Sequence, residues 1–153
     1  MAFEHYIYAD GKQLRCGYTT GTCAALAAPG AVQRLLTGVW PETVSLRTPK
    51  GLTVEVPLEH CRVQGDTAQC SVRKDGGDDV DKTTGALIQA NVSLSDTPGV
   101  RIRGGQGVGR VTKPGLDQPV GEAAINRVPR QMIREAVEAA CRTAGYDGGA
   151  QVT

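Results

Sequence analysis

Thr19-Thr20-Gly21-Thr22-Cys23-Ala24-Ala25-Leu26-Ala27-Ala28 is the stretch from which the fold is read. Hydroxyl side chains stand directly ahead of an alanine-rich run. That is an N-cap signal, because a hydroxyl oxygen accepts from the backbone N–H groups that the first helical turn leaves unpaired. The helix is expected to continue through Val32, Leu35 and Leu36 and to stop at Gly38, with Pro41 beyond it. Pro29-Gly30 interrupts the pattern. Proline lacks the backbone donor and crowds the preceding turn, so a kink or a restart at Pro29 is expected.

Residues 1–18 read as extended, with Tyr6, Ile7 and Tyr8 leading to the turn Asp10-Gly11. Downstream of the helix the period changes to two. Val44-Ser45-Leu46-Arg47-Thr48 and Leu52-Thr53-Val54-Glu55-Val56 alternate across Pro49-Lys50-Gly51, which predicts a hairpin. Further strands are expected at 61–63, 68–72, 86–94 and 100–103. A second helix should start at Pro129, carry Met132, Ile133, Ala136, Val137 and Ala140 at helical spacing, and end at Gly145. Strands in a run with helices at both ends predict an α+β fold, an antiparallel or mixed sheet packed against helices, as one domain over 1–153.

Composition narrows the function. Of 153 residues, 20 are glycine and only 4% are aromatic, so the core must come from Val, Ile, Leu and Ala. The net charge of +1 gives no global attraction to nucleic acid or to an anionic membrane. No apolar run approaches the roughly 20 residues of a membrane span, and the N-terminus carries no signal-peptide pattern, so a cytoplasmic protein is expected. Cys16, Cys23, Cys61, Cys70 and Cys141 are widely spaced, with only His5 and His60 beside them. Zinc spacing is not met, no metal is expected, and the thiols read as free and mostly buried.

Three segments could carry chemistry. Gly17-Tyr18-Thr19-Thr20-Gly21-Thr22 opens a helix, where unpaired N–H groups and a partial positive charge can receive a carboxylate or phosphate; ordinary capping explains the same residues. Lys74-Asp75-Gly76-Gly77-Asp78-Asp79-Val80-Asp81 clusters four carboxylates around two glycines. It fails the EF-hand pattern and could face a cation or form a solvated turn. In Gly104-Gly105-Gln106-Gly107-Val108-Gly109-Arg110 the dinucleotide and P-loop patterns both fail, leaving a glycine-rich loop able to approach a large ligand. Charge is uneven around it. Between residues 97 and 134 stand Arg101, Arg103, Arg110, Lys113, Arg127, Arg130 and Arg134, opposed only by Asp117 and Glu122. A bound polyanion and a solvated basic face both account for that surplus.

Taken in order, four blocks resemble the CbiD family of cobalt-precorrin-5B C(1)-methyltransferases. They are Leu14-Arg15-Cys16-Gly17-Tyr18-Thr19-Thr20-Gly21-Thr22-Cys23-Ala24-Ala25, Val72-Arg73-Lys74-Asp75-Gly76-Gly77-Asp78-Asp79, the run from Gly104 to Leu116 continued by Gly121-Glu122-Ala123-Ala124-Ile125-Asn126, and Val128-Pro129-Arg130-Gln131-Met132-Ile133. Departures are Pro29-Gly30 within the first helix, Gly76 for alanine, and Val80, Ala123 and Arg127 for prolines. The resemblance is to the family's N-terminal region, whose C-terminal domain has no counterpart here.

It implies transfer of a methyl group from S-adenosylmethionine to carbon 1 of cobalt-precorrin-5B, giving cobalt-precorrin-6A in anaerobic cobalamin (vitamin B12) biosynthesis. An in-line displacement at sulfonium needs aligned ligands and excluded water rather than a side-chain nucleophile. Under this reading Thr19, Thr20, Gly21, Thr22, Arg101, Arg103, Gly105, Gly107, Lys113 and Arg130 bind the polycarboxylate tetrapyrrole. Asp75, Asp78 and Asp79 face the sulfonium or remove a proton. Small-molecule partners, no nucleic acid, no membrane, and compatibility with an oligomer follow. Two other readings are a noncatalytic tetrapyrrole-binding fragment and a small-molecule kinase, the latter weakened by the failed nucleotide motifs.

Overall fold

A computed structural model describes residues 6–9, 12–15, 20–48, 51, 53–74, 85–105, 108, 121–123 and 125–153. The first two strands, β1 (Tyr6–Ala9) and β2 (Lys12–Arg15), form an antiparallel hairpin. Helix α1 (Thr20–Thr37) follows, then the antiparallel pair β3 (Thr43–Arg47) and β4 (Thr53–Pro57), with Leu46 opposite Val54. The main sheet is built from β5 (Glu59–Gln64), β6 (Thr67–Arg73), β7 (Leu87–Ser95), β8 (Val100–Ile102) and β9 (Gly149–Val152). Helix α2 (Arg127–Thr143) lies between the last two in sequence. The order in space is β5-β6-β7-β9-β8. Every pairing is antiparallel except β8 with β9, which α2 joins as a parallel crossover. The sheet is thus mixed and the fold α+β, as the sequence predicts.

Alternation along the strands sorts the two faces. Ala68, Cys70 and Val72 of β6, Ala90 and Val92 of β7, and Ala150 and Val152 of β9 are buried on the helical side. Gln69, Gln89, Asn91 and Arg101 occupy the intervening positions. Helix α1 lies over β6 and β7, α2 packs beside it and against β8 and β9, and β3 closes over α1 from another side.

This surrounds α1 with neighbours, and its composition follows. Cys23, Ala25, Leu26, Ala27, Ala28, Ala31 and Val32 have no accessible surface. An ordinary amphipathic helix has one apolar stripe; α1 is apolar almost all round because little of it meets water. Small side chains let the neighbours approach. A methyl group on Gly30 would come within 2.7 Å of Leu58 Cδ1.

The expected kink or restart at Pro29 is not found as a break: α1 is one helix from Thr20 to Thr37, with Pro29 inside it. The missing donor costs about 3 kcal/mol in a helix interior, and burial on several sides holds the turns on both flanks. The helix stops where glycine was read as the stop, Gly38 having φ +81°. α2 starts at Arg127 rather than Pro129, which places proline at the third helical position. There its missing donor still costs nothing, since the first four N–H groups have no intrahelical partner. Its end is a Schellman arrangement: the Gly145 N–H donates to Arg142 O at 3.1 Å, and the Tyr146 N–H to Cys141 O at 2.9 Å.

β9 is absent from the sequence expectation, which assigns no strand after α2. Gly148-Gly149 offers no β-propensity, yet glycine is what the position requires. A methyl group on Gly149 would overlap the carbonyl oxygens of Thr97 and Gly99, because β9 threads between β7 and β8. Gly149→Ala should therefore destabilise the fold by about 2–4 kcal/mol, in the range of severe overpacking. Urea denaturation checks this, and a loss below about 0.5 kcal/mol would show that the slot is not tight.

Candidate functional site

The first turn of α1 is the starting point. Thr20 is exposed, whereas Thr22 is only 3% exposed. Between them Gly21 lies against the start of α2: a methyl group there would stand 2.8 Å from Pro129 Cβ. The two helices thus bring their N-termini together. Neither first turn carries an acidic side chain, so both positive dipole ends point into one region uncompensated by their own residues.

A second segment joins through α2's leader. The Arg103 N–H donates to Val152 O at 2.8 Å, which carries the chain off the sheet edge. At Gly104 a methyl group would meet Ala123 Cβ at 2.9 Å, so the start of the glycine-rich stretch runs against the segment entering α2. Gly105 lies beside Thr153. Arg130 binds this entry segment down, its Nε donating to Ile125 O at 2.6 Å and its Nη2 to Ala123 O at 2.9 Å. Its guanidinium is therefore a clamp on backbone carbonyls, and the role it can play is to position the α2 N-terminus.

The third segment enters at its root. The Lys74 N–H donates to Ala86 O at 2.9 Å and the Gly85 N–H to Lys74 O at 2.8 Å, closing the neck of the acidic stretch between β6 and β7. Lys74 is close enough to α1 to act on the Cys23 thiol. Burial pushes that thiol up to about 12, and the Lys74 ammonium opposes the shift. Asp75, Asp78 and Asp79 themselves, with Thr19, Gly107 and Lys113, lie outside the described residues.

Thr20, Gly21, Thr22, Gly105 and Arg130 are thus connected through α1, Pro129 and Ala123, with Arg103 leading into the same segment. Arg101 is separate. It alternates with the inward Val100 and Ile102, is exposed on the sheet face away from the helices, and donates from Nη1 to Ser95 Oγ at 3.3 Å. The spacing of Arg101 and Arg103 in sequence conceals this, since a strand would place both on one face but β8 ends at Ile102, between them. Lys74 and Pro129 were not singled out as site residues. Lys74 could have been found from its place at the start of the acidic stretch.

The described cysteines divide by burial. Cys23, Cys70 and Cys141 are buried and free; Cys61 is free but exposed, on the edge strand β5. Cys70 Sγ donates to Ala27 O of α1 at 3.0 Å, and burial pushes this thiol too up to about 12. Among the described residues no group of three or more His, Cys, Asp or Glu side chains could hold a metal ion, and no helix is long and apolar enough to cross a membrane.

Comparison with known proteins supplies the relationship. The CbiD family model matches residues 7–153. The chain belongs to the CbiD family. It is 55% identical over 141 residues to the cobalt-precorrin-5B C(1)-methyltransferase of Geobacillus kaustophilus, covering 92% of this chain and 38% of that protein. Against the enzyme of that name from Burkholderia lata the identity is 50% over 140 residues, 92% and 39% of the two chains. The crystal structure of the cobalamin biosynthesis protein CbiD from Archaeoglobus fulgidus superimposes with a TM-score of 0.66 and 32% identity, covering 96% of this chain and 46% of that one. This CbiD chain therefore spans about two fifths of the length of the curated relatives it matches.

The buried thiols make the fold sensitive to alkali. A thiol raised from about 9 to about 12 on folding stabilises the native state fully below pH 9. That contribution is lost as pH rises towards 12, since the unfolded chain ionises first. Between pH 8 and 10 each such thiol should remove about 1 kcal/mol. In urea denaturation at the two pH values, Cys70→Ala should reduce the pH-dependent loss by that amount. An identical loss in variant and wild type would contradict the assignment.

Proposed function

We propose that this chain serves S-adenosylmethionine-dependent methylation of carbon 1 of cobalt-precorrin-5B, yielding cobalt-precorrin-6A, and that it supplies the binding surface for the tetrapyrrole. The activity for which its relatives are named supports the reaction. The observation that carries the binding role is the meeting of two helix N-termini, those of α1 and α2, at the contact of Gly21 with Pro129. A carboxylate-rich macrocycle is the ligand that such positive ends favour.

In this reading Thr20 and the backbone N–H groups of the α1 first turn receive a peripheral carboxylate of the substrate. Gly21 and Gly105 keep side chains out of its path, and Arg103 pairs with a second carboxylate. Thr22 stiffens the turn from within. Arg130 acts indirectly, holding the carbonyls of Ala123 and Ile125 so that the entry to α2 keeps its place. S-Adenosylmethionine, when bound, supplies an electrophilic methyl on sulfonium. The protein's contribution is alignment and exclusion of water, which can account for several kcal/mol of the barrier. Thr19, Gly107 and Lys113 are assigned to the same substrate site from the family resemblance. Asp75, Asp78 and Asp79 are assigned to face the sulfonium or to take up a proton released from the ring. The setting of such an enzyme is the cytoplasm.

Titration calorimetry with a polycarboxylate cobalt corrinoid tests the site. Thr20→Val and Arg103→Ala should each weaken binding by about 1–3 kcal/mol, the range of hydrogen bonds to charged groups. The affinity should also fall as salt rises. Titrations of both variants that superimpose on the wild type would refute the assignment.

A further inference from the structure

Along α2, Val128, Met132, Ala136 and Ala139 recur at helical spacing beside the buried stripe of Ile133, Val137 and Cys141. Met132 packs partly against the core, and the rest of this second apolar row stands outside it. Val128 is 54% exposed, and the row faces β3 across a groove of about 560 Å³ that includes Leu46 and Met132. Arg47 and Glu135 stand on its rim, one charge of each sign. Glu135 is held by Gln131, whose Nε2 donates to Oε1 at 3.0 Å, leaving the second carboxylate oxygen to accept from elsewhere. A second concavity among the described residues, near Tyr146 and Gly148, measures about 160 Å³ and is too small for a drug-sized ligand.

We propose that the groove between β3 and α2 seats the adenosyl amino acid that donates the methyl group. The inference rests on the methyltransferase reading and assigns that reading a donor site. Three observations favour this occupant. The volume falls within the range of small-molecule pockets, about 300–1,000 Å³. The chemistry is complementary: an apolar floor takes the flat adenine, the Glu135 carboxylate accepts from the ribose diol, and the Arg47 guanidinium takes the amino-acid carboxylate. The position is also right. Val128 adjoins Pro129, which touches Gly21, so the groove opens beside the proposed tetrapyrrole site. Methyl transfer requires donor and acceptor at about 3–3.5 Å. Arg47 and Glu135 belong to no quoted block of the family resemblance, which is why only the folded chain draws attention to them.

Met1 and Met132 are the two methionines of the chain, which gives a direct probe. In protein labelled with ¹³C at the methionine methyls, titration with S-adenosylhomocysteine should shift the Met132 signal saturably. Ala139→Trp, at an exposed position, fills the groove and should weaken binding about tenfold or more. Glu135→Gln keeps the shape and should weaken it at least about fivefold. Far-UV circular dichroism establishes that both variants are folded. Binding that leaves the Met132 methyl unmoved and both variants unaffected would overturn the groove while leaving the methyltransferase reading intact. Binding of corrinoid without any binding of S-adenosylhomocysteine would overturn the donor site in this chain and leave the tetrapyrrole site standing. ATP binding as tightly as S-adenosylhomocysteine would also contradict the proposal, since the groove would then read only adenine.

Discussion

Close packing around α1 is the constraint on which the rest of the structure depends. The main sheet, α2 and β3 all contact this helix. They can do so because most of its buried residues are Ala, Gly, Cys and Thr, with only Leu26 and Val32 larger. A larger side chain at Gly21 or Gly30 meets Pro129 or Leu58 at under 3 Å. Protein interiors gain dispersion energy only at close contact, and a chain with 4% aromatic residues has few large side chains to fill gaps. Bringing backbones together is the remaining way to build a dense core. The low aromatic content and the small residues of α1 are therefore two aspects of one packing solution, and the same solution holds Pro29 inside an unbroken helix.

The packing also determines where chemistry can occur. Since Gly21 admits Pro129, the N-termini of the two helices share one end of the molecule. The segment leaving β8 is drawn in at Ala123, and the end of β6 is close enough for Lys74 to act on Cys23. Arg130 shows how a charged residue can serve such a site without touching a ligand. One of its donors binds Ile125 O, and another adds to Ala123 O, which also accepts from the Ile125 N–H at 2.7 Å. Removing it would loosen the entry segment before it altered any ligand contact. The groove beside Val128 adjoins the same helix entrance, so the proposed donor and acceptor sites would share one structural element.

Much of this was legible in the sequence where local rules act alone. The hydroxyls before Cys23, the positive-φ stop at Gly38, the alternating strands either side of Pro49, and the Schellman glycine Gly145 each carry a local signal, and each element formed. What escaped was set by tertiary contact. β9 is a weak strand by composition and exists because β7 and β8 leave a slot only glycine can enter. Pro29 was read by its intrinsic cost rather than by the packing that offsets it. Arg101 and Arg103 looked like one cationic group, yet Arg101 is tied to Ser95 on the sheet face away from the helices, whereas Arg103 lies past the end of β8, where the chain turns towards Ala123. The joint role of the two helix starts became apparent only with the contact of Gly21 and Pro129, which are separated by more than a hundred residues of sequence.

A double-mutant cycle between those two positions tests the central claim most directly, read by urea denaturation. Alanine is favoured over glycine within a helix by about 1 kcal/mol, so Gly21→Ala would stabilise a helix with no neighbour there. Against Pro129 the new methyl has no room, and the account predicts that Gly21→Ala destabilises the native chain. In a Pro129→Gly background, where the opposing Cβ is gone, the same change should become neutral or stabilising, a coupling of at least about 1 kcal/mol. If Gly21→Ala raises stability equally in both backgrounds, the two helix starts are not in contact and the account fails.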